Sequence, residues 1–161
     1  MSAPIKAFTN DLPEVREPSA RYLRQTTPGA TLVDSCVLID VLANDPVWAD
    51  WSIAQLEHCA LQGALVINPI ILAEISPRFE CAADLEAALQ NLPLVREALP
   101  WDAAFLAGQA FKAYRQLQGS KTSPMPDFYI GAHALVGNLQ LLTRDRARYQ
   151  SYFPRLALVA P

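Results

Sequence analysis

The sequence is poor in histidine, cysteine and glycine, and it contains no long apolar run. Its 161 residues include two histidines, three cysteines and six glycines. No apolar run approaches the roughly 20 residues that a helix needs to cross a membrane, and residues 1–10 lack the apolar stretch of an export signal. We therefore expect a cytoplasmic protein with no membrane-spanning segment.

The few cysteines and histidines do not form a recognisable ligand pattern. Cys36, Cys59 and Cys81 are odd in number and lack the spacing of metal ligands. We interpret them as small buried apolar side chains in a reducing compartment. His58 and His133 both fall in helical patterns, and we interpret them as packed or surface residues.

The composition is that of a globular domain with an uneven charge distribution. Apolar residues make up 52% of the chain and charged residues 18%. Residues 31–111 contain eleven acids and two bases, whereas residues 112–161 contain seven bases and two acids. Either the basic part faces an anionic ligand, or a solvated surface has this distribution without a function.

Short apolar runs alternate with helical patterns after residue 30. Residues 1–30 contain four prolines and are predicted to form an irregular extension with a short helix around residues 19–25, followed by one folded domain at residues 31–161. The alternation predicts an α/β fold with a mostly parallel sheet and helices on both faces. The predicted strands are residues 31–34, 64–67, a short stretch within 94–101, 139–143 and 156–159; the predicted helices are 37–42, 46–63, 69–77, 82–92, 102–117 and 127–136, with a helical turn at 146–149.

Four acidic residues occur where an apolar run ends or where an apolar helix presents one charge. Asp34 and Asp145 follow predicted strands, Glu74 lies among apolar helical positions, and Asp127 begins a helix. Ligands bind at the carboxyl ends of parallel strands, and carboxylates are the ligands that Mg²⁺ or Mn²⁺ prefers. The pattern therefore indicates metal-assisted hydrolysis of a phosphodiester.

Each acid also has an ordinary structural explanation when it is considered alone. Asp34 could cap the following helix, Asp127 could be a helix-terminal acid, and Asp145 could be a turn residue. An unrelated phosphoryl hydrolase on an α/β sheet lacks support, because the sequence has neither a glycine loop that binds phosphate nor a nucleophile with a neighbouring base.

Basic and aromatic residues near the last two acids are candidates for contacting a nucleic acid. Arg144 and Arg146 bracket Asp145, and Lys121 lies in the preceding polar loop, so all three could bind phosphate. Alternatively, the arginines balance the nearby acids at a solvated helix start. Phe128 and Tyr129 could stack on a base or belong to the core.

The order of the acidic motifs resembles that of the PIN-domain ribonucleases, and the chain is most similar to the toxins of VapBC-type toxin–antitoxin modules. The resemblance covers roughly residues 31–160. Four segments carry it, namely Leu32-Val-Asp34-Ser-Cys-Val-Leu-Ile39, Leu72-Ala-Glu74-Ile, Pro126-Asp127-Phe-Tyr-Ile130-Gly-Ala-His-Ala134 and Leu141-Leu-Thr-Arg-Asp145. In this family the first strand usually begins within a few residues of the N-terminus. Here about thirty residues precede it, either as an arm that contacts a partner or a second copy, or as a flexible tail.

The resemblance implies a metal-dependent endoribonuclease that works as a toxin, forms a homodimer and is silenced by a cognate antitoxin protein. It implies one or two Mg²⁺ or Mn²⁺ ions held by the acids. The alternative is a catalytically inactive PIN-fold module that binds RNA or a protein. The residues to which the resemblance assigns roles are the triad Asp34, Glu74 and Asp127, the fourth acid Asp145, and the supporting polar residues Ser35 and Thr143.

Overall fold

The structure, a computed structural model, describes residues 29–117 and 119–161. The predicted extension, including the helix expected around residues 19–25, lies outside the described residues except for residues 29 and 30. In the described part a five-stranded sheet has the order β3-β2-β1-β4-β5, and every neighbouring pair is parallel. The strands are β1 (Thr31–Val33), β2 (Leu65–Ile67), β3 (Leu94–Arg96), β4 (Gln140–Leu142) and β5 (Leu158–Val159).

Each connection between consecutive strands contains at least one helix, as parallel strands require. All residues of β1 and β2 are buried, so both faces of the central sheet are covered. The predicted α/β class with a parallel sheet is confirmed. The helices of the described residues are α1 (Ser35–Leu42), α2 (Ala49–Gln62), α3 (Pro69–Ile75), α4 (Ala82–Leu89), α5 (Trp101–Gln116), α6 (Pro126–Val136) and α7 (Arg146–Tyr152), with a 3₁₀ turn at Ser76–Arg78.

The start of α3 follows from two adjacent residues. The Asn68 side-chain oxygen accepts a hydrogen bond from the Ile71 backbone N–H at 3.0 Å. Pro69 occupies the first helical position, where its missing N–H has no partner to lose. Because this cap fixes the direction of α3, it also fixes the helix face on which Glu74 lies.

All seven helices differ by one to three residues from their predicted bounds, and α2 and α7 are two clear cases. The helix expected from Pro46 begins at Ala49, because the Asp45 carboxylate accepts hydrogen bonds from the N–H groups of Val47 and Trp48, each at 2.9 Å, and forms a turn there. The predicted helical turn at residues 146–149 is the longer helix α7, which extends to Tyr152. The additional residues include Tyr152, which is partly buried and packs against the core.

The core lies between the sheet and its helices, and it contains only one of the three cysteines as a fully buried residue. Leu32, Ile67 and Leu141 are fully buried in the central strands, with relative exposures of 0–1%. Cys59 is buried and Cys36 partly buried, but Cys81 is exposed and just precedes α4, so its interpretation as a buried side chain was wrong. In the part of the chain that the structure describes, no helix is long and apolar enough to cross a membrane.

Candidate active site

The sheet order creates a crevice between the carboxyl ends of β1 and β4. From β1 the chain proceeds to β2 and β3 on one side, whereas β4 leads to β5 on the other. Connections that leave neighbouring strands in opposite directions open a ligand-binding crevice at their carboxyl ends. Asp34 directly follows β1 and Thr143 directly follows β4. The Asp34 N–H donates to the Leu142 carbonyl at 2.9 Å, which continues the sheet pairing up to the site.

The Asp34 carboxylate is held by three side-chain donors on a single oxygen. Its Oδ2 accepts hydrogen bonds from Thr143 Oγ1 at 2.6 Å, from Tyr149 OH at 3.2 Å and from Cys36 Sγ at 3.4 Å. Among the described residues, Oδ1 has only a long contact with Ser35 Oγ, at 3.5 Å. The side chain makes no capping bond to α1, so the capping explanation for Asp34 is wrong.

Glu74 reaches the same crevice from α3. It is partly buried, and its Oε2 accepts a hydrogen bond from Ser35 Oγ at 2.8 Å. Ser35 therefore lies between the carboxylates of Asp34 and Glu74. The small hydroxyl can donate one strong bond, and it donates that bond to Glu74 rather than to Asp34.

Asp127 and Asp145 lie on the more exposed side of the crevice, and both bind Arg148. The Nη1 of Arg148 is 2.7 Å from Asp127 Oδ2, and its Nε is 3.0 Å from Asp145 Oδ2. Asp145 also caps α7 by accepting from the Arg148 N–H at 3.1 Å, as expected if it is a turn residue. The side-chain exposures of Asp127, Asp145 and Arg148 are 17%, 43% and 50%.

The inner acids share one electrostatic environment. Burial raises the pKa of Asp34, and the negative charge of Asp127 raises it further against the hydrogen bonds that stabilise the carboxylate. Burial and then repulsion from Asp34 and Asp127 raise the pKa of Glu74, while Ser35 and Arg148 oppose the rise. Burial and the charge of Asp34 raise the pKa of Cys36 to about 11, so the thiol stays protonated and donates to Asp34.

The four carboxylates are of the ligand type that a hard divalent cation prefers, but they are not arranged as a complete metal site. Among the described residues, no group of three or more His, Cys, Asp and Glu side chains is arranged to hold a metal ion. Burial is the main cause that raises the pKa of Asp34 and Glu74, and the charge of Asp127 adds to both rises, while two of the four acids bind a guanidinium. Carboxylate oxygens and mutual repulsion are what Mg²⁺ or Mn²⁺ would satisfy, so the residue types fit a metal that would draw the acids closer together.

A family model for the PIN domain matches residues 31–154. The chain belongs to the PIN domain family. No curated protein sequence matches it significantly.

Several solved structures resemble this PIN domain in fold. VapBC2 from Rickettsia felis, bound to a DNA fragment from its promoter, is 18% identical with a TM-score of 0.65, over 82% of this chain and 98% of the other. DNA-bound VapBC from Salmonella typhimurium is 20% identical with a TM-score of 0.60, over 81% and 97% of the two chains. FitAcB from Neisseria gonorrhoeae is 18% identical with a TM-score of 0.56, over 80% and 95%. At such identities the likeness shows a shared fold.

The base expected to bind phosphate next to Asp145 has a structural partner in this PIN domain. The Nε of Arg144 is 2.9 Å from Oδ2 of Asp40, whose side chain is 1% exposed. The Arg144 guanidinium also lies over the Trp48 ring, 5.2 Å from its centroid. The same Asp40 oxygen accepts a hydrogen bond from Ser52 Oγ at 2.8 Å, which joins α1 to α2. Arg144 therefore neutralises a buried acid outside the four predicted ligands.

The contacts found for the other two predicted bases are with residues other than the four acids. Arg146 Nη2 donates to the Ala160 carbonyl at 2.9 Å, which ties α7 to the end of the chain. Lys121 is exposed in the loop before α6, and its carbonyl accepts from Arg115 Nη1 at 2.9 Å. Both side chains remain candidates for RNA contact at the surface, but neither forms an ion pair with the acids among the described residues.

Two residues of the site were not among the predicted site residues, although Arg148 is one of the bases that flank the last two acids in the sequence. Arg148 and Tyr149 are three and four residues after Asp145, which is the spacing of neighbours on one helix face. The predicted helical turn at residues 146–149 contained both residues but did not indicate that they would contact Asp127 and Asp34. A full α7 would have placed both side chains toward the crevice.

His133 positions α6 from inside the protein. Because the Asn68 side-chain oxygen caps α3, its amide N–H donates to His133 Nδ1 at 3.0 Å. The ring proton of the neutral imidazole is therefore on Nε2, which is 3.5 Å from Glu97 Oε2. Burial lowers the pKa of His133, against the attraction of Glu97. The interpretation of His133 as a packed residue is confirmed, since it is 1% exposed. It joins the helix that carries Asp127 to the carboxyl ends of β2 and β3.

The aromatic residues beside Asp127 differ in position. Phe128 is fully buried and packs edge-on against Tyr152 with ring centroids 4.9 Å apart, so it belongs to the core and cannot stack on a base. Tyr129 is partly buried. Phe128 anchors the first turn of α6 and thereby the direction of Asp127.

Proposed function

We propose that this PIN domain is a metal-dependent endoribonuclease and the toxin of a type II toxin–antitoxin module. The observation that carries the proposal is the Asp34 carboxylate. It is 5% exposed at the carboxyl end of the sheet, and its Oδ2 is held by three donors. Within the described part of the chain, its other oxygen has only a long contact with Ser35, which binds Glu74. A buried charge without a cation is unfavourable. The arrangement is therefore best explained by a cation that binds there.

The side chains divide the work of such a site. Asp34, Glu74 and Asp127 would hold the metal, one or two Mg²⁺ or Mn²⁺ ions, with Asp145 as the fourth ligand. When bound, the metal would supply a water of lowered pKa and neutralise charge on the phosphate. Ser35 and Thr143 orient the inner carboxylates through bonds of 2.8 and 2.6 Å. RNA would approach from the side of Asp145, whose side chain has an exposed fraction of 43%.

The nuclease proposal is tested with purified protein and total RNA. We expect cleavage with Mg²⁺ or Mn²⁺ that EDTA abolishes, with cut ends that map to internal positions. The variant Asp127→Asn should lose this cleavage, because it removes one ligand charge, while Asp102→Asn, an exposed acid on α5, should retain it. Cleavage that persists in EDTA or in Asp127→Asn would contradict a metal-dependent mechanism at this site.

The antitoxin part of the proposal rests on the fold shared with the VapBC and FitAcB proteins. We expect expression of the wild-type chain to arrest growth and a short neighbouring reading frame to relieve the arrest. Expression of Asp34→Asn should not arrest growth. Growth arrest by Asp34→Asn at equal protein level would separate toxicity from cleavage and contradict the proposal.

A homodimer is the proposed assembly, and α5 carries a surface that suits it. Trp101 and Phe105 are 85% and 71% exposed and lie one helical turn apart. Exposed aromatic residues of this kind are common at protein interfaces. The double variant Trp101→Ala with Phe105→Ala should shift the protein toward monomer in analytical ultracentrifugation. Leu61→Ala on α2, where the side chain is 89% exposed, is the matched control and should leave the assembly unchanged.

A second candidate function is a PIN-fold module that binds RNA or protein without cleaving it. The absence of a ready metal cage among the described residues and the contacts of Arg148 with two acids favour it. RNA binding in a filter assay without cleavage in Mg²⁺ or Mn²⁺ would support this function over the nuclease.

A further inference from the structure

Arg148 is the base that contacts the predicted metal ligands among the described residues. Its guanidinium binds Asp127 at 2.7 Å and Asp145 at 3.0 Å through two different nitrogens. Its positive charge also acts on Glu74, where it opposes the rise in pKa that burial causes. One positive charge therefore interacts with three of the four acids.

The neighbouring arginines do not share this position. Arg144 is paired with the buried Asp40, and Arg146 donates to backbone carbonyls at the end of the chain. Arg148 is also anchored at its backbone, because its N–H donates to Asp145 Oδ1 at 3.1 Å. Its side chain is 50% exposed, so the guanidinium can leave the acids without breaking core packing.

We propose that Arg148 takes the place of a cation between Asp127 and Asp145, and that metal binding displaces it. This inference rests on the proposed metal-dependent function. Before metal arrives, the guanidinium keeps two like charges close together that would otherwise repel each other. When metal binds, the same carboxylate oxygens are needed as ligands, so the two cations compete. Arg148 thereby sets how tightly the site binds metal.

The competition predicts opposite effects of one substitution in the two states of the protein. In Arg148→Gln the carboxylates lose a competing cation, so Mn²⁺ should bind about three- to tenfold more tightly, the effect of removing one or two partly exposed ion pairs. The metal-free protein should melt at a lower temperature than wild type, because Asp127 and Asp145 then repel each other without compensation. If Arg148 had only a structural role, its replacement would weaken both metal binding and the stability of the fold.

The experiment measures Mn²⁺ affinity by calorimetric titration and the melting temperature with and without Mn²⁺, on the full chain. Arg148→Lys keeps the charge but has only one nitrogen, so its affinity should lie between those of wild type and Arg148→Gln. Arg155→Gln removes the same charge from an exposed position between α7 and β5, and its affinity should stay within about twofold of wild type.

Each outcome decides between the two proposals. Tighter Mn²⁺ binding with a lower metal-free melting temperature in Arg148→Gln supports the competition. Unchanged or weaker binding in Arg148→Gln, with a wild type that binds Mn²⁺ and cleaves RNA, overturns the competition and leaves the nuclease proposal intact. If neither wild type nor variant binds Mn²⁺ and no RNA is cleaved, both proposals fail.

Discussion

The two sides of the crevice hold their acids by different physical means. On the inner side, Asp34 is 5% exposed and accepts hydrogen bonds from three neutral donors, namely Thr143 after β4, Tyr149 of α7 and Cys36 of α1. On the outer side, Asp127 and Asp145 are more exposed and are joined by the charge of Arg148. Hydrogen bonds from neutral side chains on packed strands and helices fix the orientation of the carboxylate. An ion pair at the surface, in contrast, is weak and can be exchanged for another. The position of the inner acid is therefore set by folding, whereas the two outer acids can exchange the guanidinium for another cation.

The largest effect is expected from the inner acid. Asp34→Asn should reduce metal-dependent cleavage to background, a greater loss than the roughly 10–100-fold that removal of a partner behind a ligand produces. Because Asp34 is a buried charge with a raised pKa, its loss should leave the free energy of unfolding in EDTA at pH 7 equal or higher. Chemical denaturation measures the second expectation. Wild-type cleavage in the purified variant would remove Asp34 from the mechanism.

The second largest effect is expected where α6 and α7 approach each other closely. This contact brings the inner and outer sides of the crevice together. Gly131 lies where a Cβ atom would clash with the Phe153 ring and come within 3.1 Å of Tyr149 Cδ1. Gly131→Ala should destabilise the protein by about 1–3 kcal/mol, as overpacking of a core does. Gly108→Ala on α5, where a Cβ atom meets nothing within 4 Å, is the matched control and should stabilise by about 0.5–1 kcal/mol. Equal effects in urea denaturation would show that the helix contact is not tight.

A smaller effect is expected when one donor is removed from the inner side. Tyr149→Phe keeps the ring in the core and removes the hydroxyl that donates to Asp34 at 3.2 Å. Mn²⁺ affinity should fall by about tenfold, the lower end of the effect of losing a partner behind a ligand. Tyr152→Phe removes a hydroxyl from a partly buried ring on the same helix and should not change the affinity. If Tyr149→Phe binds Mn²⁺ like wild type, Thr143 and the fold alone orient Asp34.

The smallest effect is a change in the pH dependence of stability without metal. Since the folded protein raises the pKa of Asp34 and Glu74 above their ordinary 3.8 and 4.5, it binds their protons more tightly than the unfolded chain does. These two groups should therefore make the metal-free protein less stable as pH rises from about 4 through their raised values. In EDTA, Asp34→Asn should flatten this decline.

Asp45 provides a control of opposite sign for the pH experiment. Hydrogen bonds from the N–H groups of Val47 and Trp48 lower the pKa of Asp45. The Asp45 carboxylate therefore stabilises the folded protein at a pH above its ordinary pKa of 3.8, and this contribution is lost as the pH falls. Asp45→Asn should lower stability at neutral pH rather than raise it. If both variants shift the unfolding curves in the same direction, the inner acid is not strained by burial.

Much of the fold could be predicted from local patterns. The five strands and seven helices of the described residues correspond to predicted segments, because apolar runs, the Asn68–Pro69 cap and the glycine near residue 137 act within a few residues. The start of α2 was missed, because the carboxylate of Asp45 forms a turn that the helical pattern of Trp48 and Trp51 conceals.

The candidate site could be predicted in its acids but not in its contacts. Asp34, Glu74, Asp127 and Asp145 occupy the places expected from strand ends and helix faces. The partners of the bases were not foreseen, since Arg144 binds an acid more than a hundred residues away and Arg148 binds one twenty-one residues away. Those choices depend on which helices pack together.

The sequence by itself determined the elements, their alternation and the positions of the four acids, because periodicity, caps and strand ends are local properties. Only the tertiary structure decided that Thr143 and Tyr149 hold one oxygen of Asp34 and that Arg148 joins Asp127 to Asp145. The physical reason is that hydrogen bonds and ion pairs act over about 3 Å. Only the packing of β1 beside β4 and of α6 beside α7 brings residues so distant in sequence within that range.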